Sequence, residues 1–140
     1  AYPFGAIPTR MAASYLMDSN VLIDYIGRKF DKKTEKKLDE VFDESFNYSI
    51  ISRLEVLGFQ APEEILQSIE DFLSTGTLHY ITDTIANESI IIRRSLPRLK
   101  LPDAIIAATA IVNNQTLLTR NIDDFKNIPS LVVENPWSWK

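Results

Sequence analysis

The chain has 140 residues, 45% of them apolar and 24% charged, a composition that fits one globular domain with its own core. It contains no cysteine, which excludes a disulfide framework and thiolate metal sites and permits a reducing, cytoplasmic location. The net charge of −4 argues against a protein that coats nucleic acid, because non-specific binding needs Lys and Arg to neutralise phosphates.

Ala1 to Arg10 match no element pattern and lack the charged-then-apolar layout of a secretory signal. Residues 1–10 are expected to be an expression remnant or disordered leader, with a natural start at Met11 and a single domain over 11–140. Tyr15 to Met17 predicts a short buried strand. Ser19 or Asn20 is placed to cap a helix through Val21, Leu22, Tyr25 and Ile26, ending near Gly27. Lys32 to Phe46 carries Leu38, Val41 and Phe42 between charges, the period of an amphipathic helix. Tyr48 to Ile51 predicts a second strand, and Ser52 starts a helix. Pro62-Glu63-Glu64 starts another that runs to Leu73 and is stopped at Gly76. Leu78 to Ile81 predicts a third strand, followed by a helix capped at Asp83 or Thr84 that carries Ile85, Ile90, Ile91 and Ile92. Pro102 suits the first turn of a helix through Val112. Thr116 to Thr119 and Leu131 to Val133 predict the last two strands. No apolar run approaches the roughly twenty residues of a membrane span. Short apolar strands alternating with helices indicate an α/β domain: a mostly parallel five-stranded sheet, helices on both faces, and a ligand site outside the carboxyl ends of the strands.

Three acids interrupt apolar sequence. Asp18 ends the run Tyr15-Leu16-Met17, Glu55 lies within Ser52-Arg53-Leu54-Glu55-Val56-Leu57-Gly58, and Asp103 opens Asp103-Ala104-Ile105-Ile106-Ala107-Ala108. Each has an ordinary reading. Asp18 can cap a helix, Ser52 and Glu55 form a capping-box pattern, and Asp103 can complement a helix dipole. Three such acids at element ends are nevertheless costly to bury unless they converge on one another and on a cation.

The strings carry a family resemblance. Tyr15-Leu16-Met17-Asp18-Ser19-Asn20-Val21-Leu22-Ile23-Asp24 resembles the opening motif of the PIN-domain nucleases. The segment around Glu55 resembles their second motif, and Leu101-Pro102-Asp103-Ala104-Ile105-Ile106-Ala107-Ala108-Thr109-Ala110 their third. Leu118-Thr119-Arg120-Asn121-Ile122-Asp123-Asp124-Phe125 resembles the fourth. The four occur in order between Tyr15 and Pro136, and their style and the small size of the chain are similar to the VapC toxins. The resemblance implies a PIN-like three-layer fold and a site holding Mg²⁺ or Mn²⁺ among Asp18, Glu55 and Asp103, with Thr119 and Asn20 assisting by hydrogen bonds. The family often has an acid where this chain has Asn121; Asp124, more than Asp123, is placed to compensate. The implied reaction is endonucleolytic hydrolysis of RNA that leaves a 5′-phosphate and a 3′-hydroxyl. The implied partners are RNA, a cognate antitoxin and a second copy of the chain.

Hard cations take oxygen ligands, so His79 is not required and is read as a strand or surface residue. Arg93, Arg94, Arg98 and Lys100 precede Asp103, and Arg120 abuts Asn121; these are the candidate phosphate-holding rim, against the plainer reading of a solvated charged face. Lys32, Lys33, Lys36 and Lys37 alternate with acids and are read as solvated. Three other functions compete: a PIN-type nuclease in RNA processing, a degenerate PIN fold that only binds, and a phosphoacceptor receiver domain. The last is disfavoured because no acidic pair precedes Asp18.

Overall fold

The apolar runs align as one sheet in a computed structural model that describes residues 14–140; the leader expected over residues 1–10 lies outside the described residues. The strands are β1 (Tyr15–Met17), β2 (Asn47–Ser49), β3 (Thr77–His79), β4 (Thr116–Leu118) and β5 (Val133–Glu134), in the order β3-β2-β1-β4-β5. Every neighbouring pair is parallel. The helices are α1 (Ser19–Ile26), α2 (Lys32–Glu44), α3 (Ile50–Leu57), α4 (Glu63–Leu73), α5 (Asp83–Ser95), α6 (Leu101–Val112) and the short α7 (Ile122–Phe125); a 3₁₀ turn spans Pro136–Ser138.

Strand alternation sends successive side chains to opposite faces, and two cores result. Leu16 and Leu117 face one side with Ile85, Ile92, Ile106 and Phe125. Met17 and Leu118 face the other with Val21, Leu22, Leu38, Val56 and Leu73. Buried Ala104, Ala107, Ala108 and Ala110 present small side chains on α6, which packs along α5.

Several boundaries differ from expectation, three of them because a residue at or just past a strand end caps the next helix. Asp18, not Ser19 or Asn20, caps α1. Ser49 caps α3 by accepting from the Ser52 amide at 3.1 Å, so the second strand ends two residues early and Ser52 lies inside the helix. Thr82 caps α5 in place of Asp83 or Thr84. The third strand stops at His79, leaving Tyr80 and Ile81 exposed. The fifth strand is displaced to Val133–Glu134, and α7 is a short helix capped at Asn121. Beyond α4, a Cβ on Gly76 would meet the Phe46 ring at 2.7 Å, so packing as well as helix termination calls for glycine there. Among the described residues no helix is long and apolar enough to cross a membrane.

The topology fixes where a ligand can enter. From β1 the chain moves outward to β2 and β3, then returns to the other side of β1 for β4 and β5. The connections diverge at β1 and β4, opening a crevice at their carboxyl ends, where open α/β sheets bind ligands.

Candidate functional site

Asp18 and Thr119 are the first residues beyond β1 and β4. The Asp18 amide donates to the Leu118 carbonyl at 2.9 Å, which ties the two strand ends together. Asp18 is 5% exposed and Thr119 fully buried. The Thr119 hydroxyl donates to Asp18 Oδ2 at 2.6 Å, the Ser19 amide to Oδ1 at 2.8 Å, and Asn20 Nδ2 to Oδ2 at 3.2 Å. Asn20 Nδ2 also lies 3.3 Å from Thr119 Oγ1. Burial raises the pKa of Asp18; the Thr119 hydroxyl and the Ser19 amide oppose that rise, and the charge of Glu55 reinforces it.

Glu55 is brought to this cluster by α3, which packs between α1 and α6. Ser19 Oγ donates to Glu55 Oε1 at 2.5 Å. This corrects the capping-box reading: Ser52 is an interior residue of α3, its buried hydroxyl has no hydrogen-bond partner among the described residues, and Glu55 accepts from Ser19. Glu55 is exposed, so the expectation of a buried carboxylate holds for Asp18 but not for Glu55.

Asp103 occupies the first turn of α6 and is half-buried. Its pKa is raised to about 6, first by burial and then by the charges of Asp18, Asp124 and Glu55, with Lys100 opposing. Asp103 therefore lies in the field of three other carboxylates drawn from separate elements. Asn121 is exposed and caps α7 without a side-chain hydrogen bond; its backbone amide donates to Thr119 Oγ1 at 3.0 Å. Asp124, also exposed, is the residue of that motif whose charge reaches Asp103.

The candidate rim divides. Arg98 and Lys100 line a groove of about 520 Å³ together with Asp103, Asp123 and Asp124. Arg93 and Arg94 line a different groove with Ile81, Ile90 and Leu101, and Arg93 Nε donates to the Leu99 carbonyl at 3.3 Å. Arg120 stands beside the acids: its amide donates to Asn20 Oδ1 at 3.1 Å and its Nη1 to Asp24 Oδ2 at 2.9 Å. His79 bonds Asn47 Oδ1 at 2.9 Å, and burial lowers its pKa; its place is structural.

Sequence reasoning missed Ser19 as a partner of Glu55, and Asp24 and Trp137 as partners of Arg120. The first signal was available, since a serine following a strand-end acid on a buried helix face needs a partner. Trp137 carried none, because only folding brings the carboxyl-terminal turn to Arg120.

The donor set consists of carboxylate, hydroxyl and amide oxygens, which suits a hard cation. Such a cation keeps several waters and takes only one or two carboxylates directly. Convergence of Asp18, Glu55 and Asp103 is expected from the sequence, but among the described residues no three acidic or imidazole side chains share a ligating position. Burial first and the neighbouring carboxylates second raise the pKa of Asp103, and a cation would offset both.

A family model described as PIN domain matches residues 15–131. A toxin–antitoxin complex from Klebsiella pneumoniae is 35% identical with a TM-score of 0.73, covering 88% of this chain and 98% of that one. VapBC2 from Rickettsia felis, solved bound to a DNA fragment from its promoter, is 27% identical with a TM-score of 0.75, covering 90% of this chain and 98% of that one. DNA-bound VapBC from Salmonella typhimurium, 23% identical over 89% of this chain and 98% of that one, agrees in fold with a TM-score of 0.78. Over 33 residues the chain is 54% identical to Ribonuclease VapC2 of Rickettsia felis; that match spans 24% of this chain and about a quarter, 25%, of the relative's length.

Proposed function

The chain belongs to the PIN domain family, and on that premise we propose that it is a metal-dependent endoribonuclease acting as the toxin of a toxin–antitoxin pair. One observation carries the reading. A buried aspartate at the β1–β4 crevice faces a second aspartate whose carboxyl is held up to about 6 by burial and by three neighbouring carboxylates. Such a cluster is poorly suited to bare RNA and well suited to a cation carrying RNA. The printed names of the relatives, a ribonuclease and toxin–antitoxin complexes, support the same substrate and partner.

Asp18, Asp103 and Glu55 would hold Mg²⁺ or Mn²⁺, with Asp124 at the rim. When bound, the ion supplies positive charge that offsets the phosphate and makes water more acidic. The chain's own residues do the rest. Thr119, Asn20 and the Ser19 amide fix both oxygens of Asp18. Ser19 steers Glu55 toward the same cluster. Asp103 gives up its proton near neutrality and restores acceptor capacity. Arg98, Lys100 and Arg120 hold the strand. Water forms the new bond to phosphorus as the bond to the 3′-oxygen breaks, and the proton that water loses ends on that oxygen, leaving a 5′-phosphate and a 3′-hydroxyl.

The same reading takes residues 11–140 as one nuclease domain in the cytoplasm. It includes a homodimer, supported by the exposed Ile81, Ile90 and Leu101 that line one groove. It also includes an antitoxin whose basic segment covers the acids, because a carboxylate cluster is a good acceptor for a bidentate guanidinium.

The deciding experiment is hydrolysis of RNA by the purified chain. Cleavage is expected with Mg²⁺ or Mn²⁺, lost with EDTA and restored by added metal. Full activity without metal would overturn the mechanism, and no activity with metal would overturn the nuclease. Expression without a partner should arrest growth, and co-expression of a small protein encoded beside it should relieve the arrest. An active enzyme harmless on expression would point to RNA processing instead.

A further inference from the structure

Resting on the nuclease reading, we infer that Arg120 is the residue that grips an RNA phosphate at the mouth of the acidic site, and that Trp137 is its positioning residue. Arg120 directly follows Thr119, the partner of Asp18. Its backbone is pinned at the amide by Asn20 Oδ1 at 3.1 Å. Its Nη1 donates to Asp24 Oδ2 at 2.9 Å. Its guanidinium carbon lies 4.7 Å from the centroid of the Trp137 ring. Trp137 is braced in turn: Phe30 packs on it at 4.4 Å, and its amide donates to Asn135 Oδ1 at 2.9 Å. Arg120 also borders a groove of about 370 Å³ shared with Asn121, Asp124 and Asn135, so the cation and the acidic edge of the site share one surface.

The plain alternative is a surface arginine that joins the carboxyl-terminal turn to α1. Two features speak against that as its whole role. Exposed ion pairs contribute little to stability, and this side chain remains 52% exposed. Beyond the Asp24 contact, its guanidinium has no other hydrogen-bond partner among the described residues. A structural arginine would spend its fork on protein acceptors; this one lies over an indole with donors left over. A planar guanidinium matches two phosphate oxygens at once, and the cation–π contact with Trp137 restrains its position before RNA arrives. A chain of net charge −4 needs such local cations to hold a polyanion beside carboxylates.

The test is steady-state cleavage of fluorescein-labelled single-stranded RNA of mixed sequence in the presence of Mg²⁺. Arg120→Gln is expected to raise KM roughly tenfold or more, the loss of one charge-assisted contact, with kcat nearly unchanged. It should also flatten the salt dependence of binding by about 0.7 in log–log slope, the value for one phosphate on a single strand. Arg120→Lys should recover the salt slope but not the full KM. Trp137→Leu should raise KM in the same way, and Trp137→Phe, which keeps a ring face, should rescue it. In the Arg120→Gln background Trp137→Leu should add nothing. Unchanged KM and salt slope in Arg120→Gln would overturn the assignment of Arg120, and additive losses in the double variant would overturn the role of Trp137. If Trp137→Leu does not fold, Trp137→Gln takes its place: a raised KM that adds nothing in the Arg120→Gln background supports the stack, and an unchanged KM refutes it. A wild-type chain that cleaves while Arg120→Gln matches it sinks this inference alone. A wild-type chain that never cleaves sinks the nuclease reading with it.

Discussion

The hydroxyl of Thr119 donates to Oδ2 of Asp18 at 2.6 Å, so the ends of β1 and β4 are joined through the side chain at the centre of the acidic site. The bond favours the charged carboxylate, against the burial that disfavours it. Thr119→Val keeps the shape and removes the donor. Asp18 should then titrate higher, and the Mg²⁺ concentration that half-saturates cleavage should rise by roughly 10–100-fold, as for lost ligand-orienting contacts generally. Stability should fall by about 1–3 kcal/mol, because a buried acceptor loses its partner. Metal titration of cleavage rate and chemical denaturation check the two parts separately; unchanged half-saturation would mean that Thr119 serves the fold alone.

Asp103 links charge to pH. Its folded pKa is raised from 3.8 to about 6, so between those values the folded state binds the proton more tightly than the unfolded chain does. Stability of the metal-free protein should therefore fall as pH rises through that window, and the cost should be fully present above it. Asp103→Asn should melt higher than wild type near neutrality and lose this part of the slope, while cleavage drops by about 100-fold or more for want of the charge. Added Mg²⁺ should stabilise wild type more at pH 7 than at pH 5, since metal and proton compete for the same oxygens. Melting curves against pH, with and without metal, decide it; a higher melting temperature at pH 7 than at pH 4 that Asp103→Asn leaves unchanged would contradict the assignment.

Much of this was legible in the sequence because it rests on local signals. The strand–acid–helix pattern at Asp18 marks both a strand end and a helix start, and α6 announces itself through Pro102 and its alanines. What failed is non-local or concerns a single residue. Capping by Ser49 depends on a backbone turn that no apolar period encodes. The Ser19–Glu55 hydrogen bond and the stack of Arg120 on Trp137 join residues 36 and 17 positions apart, read from Ser19 to Glu55 and Arg120 to Trp137. The basic cluster before Asp103 split because residues close in sequence fall on different sides of the α5–α6 connection: Arg93 and Arg94 in one groove, Arg98 and Lys100 in another.

Ser52 separates a sequence motif from its structural fate. A capping box would make Ser52→Ala cost on the order of 1 kcal/mol. In the structure Ser52 is fully buried inside α3 and its hydroxyl is unpartnered among the described residues, so removing it should be neutral or stabilising by up to about 1 kcal/mol, as the stranded polar group goes and helix propensity improves. Urea denaturation of Ser52→Ala is the check. Ser49→Ala, which removes the actual cap, should cost roughly 0.5–2 kcal/mol.

Asn121 and Asp124 share the turn after β4, and only Asp124 carries charge into the field of Asp103. Asn121 contributes its backbone amide to Thr119 at 3.0 Å and leaves its side chain without a cap bond. If Asp124 supplies the negative charge missing at Asn121, Asp124→Asn should raise the half-saturating Mg²⁺ concentration several-fold and let Asp103 titrate lower, since one repelling neighbour is gone. Asn121→Asp should lower the half-saturating concentration, because an added carboxylate attracts the cation more strongly than an amide carbonyl, and should raise the pKa of Asp103 when metal is absent. The plain alternative makes Asp124 a solvated acid in the first turn of α7, worth a few tenths of a kcal/mol to the helix, with no bearing on metal. Titrating Mg²⁺ against initial cleavage rate for both variants separates the two: shifts of opposite sign support compensation, and superimposable curves confine the site to Asp18, Glu55 and Asp103.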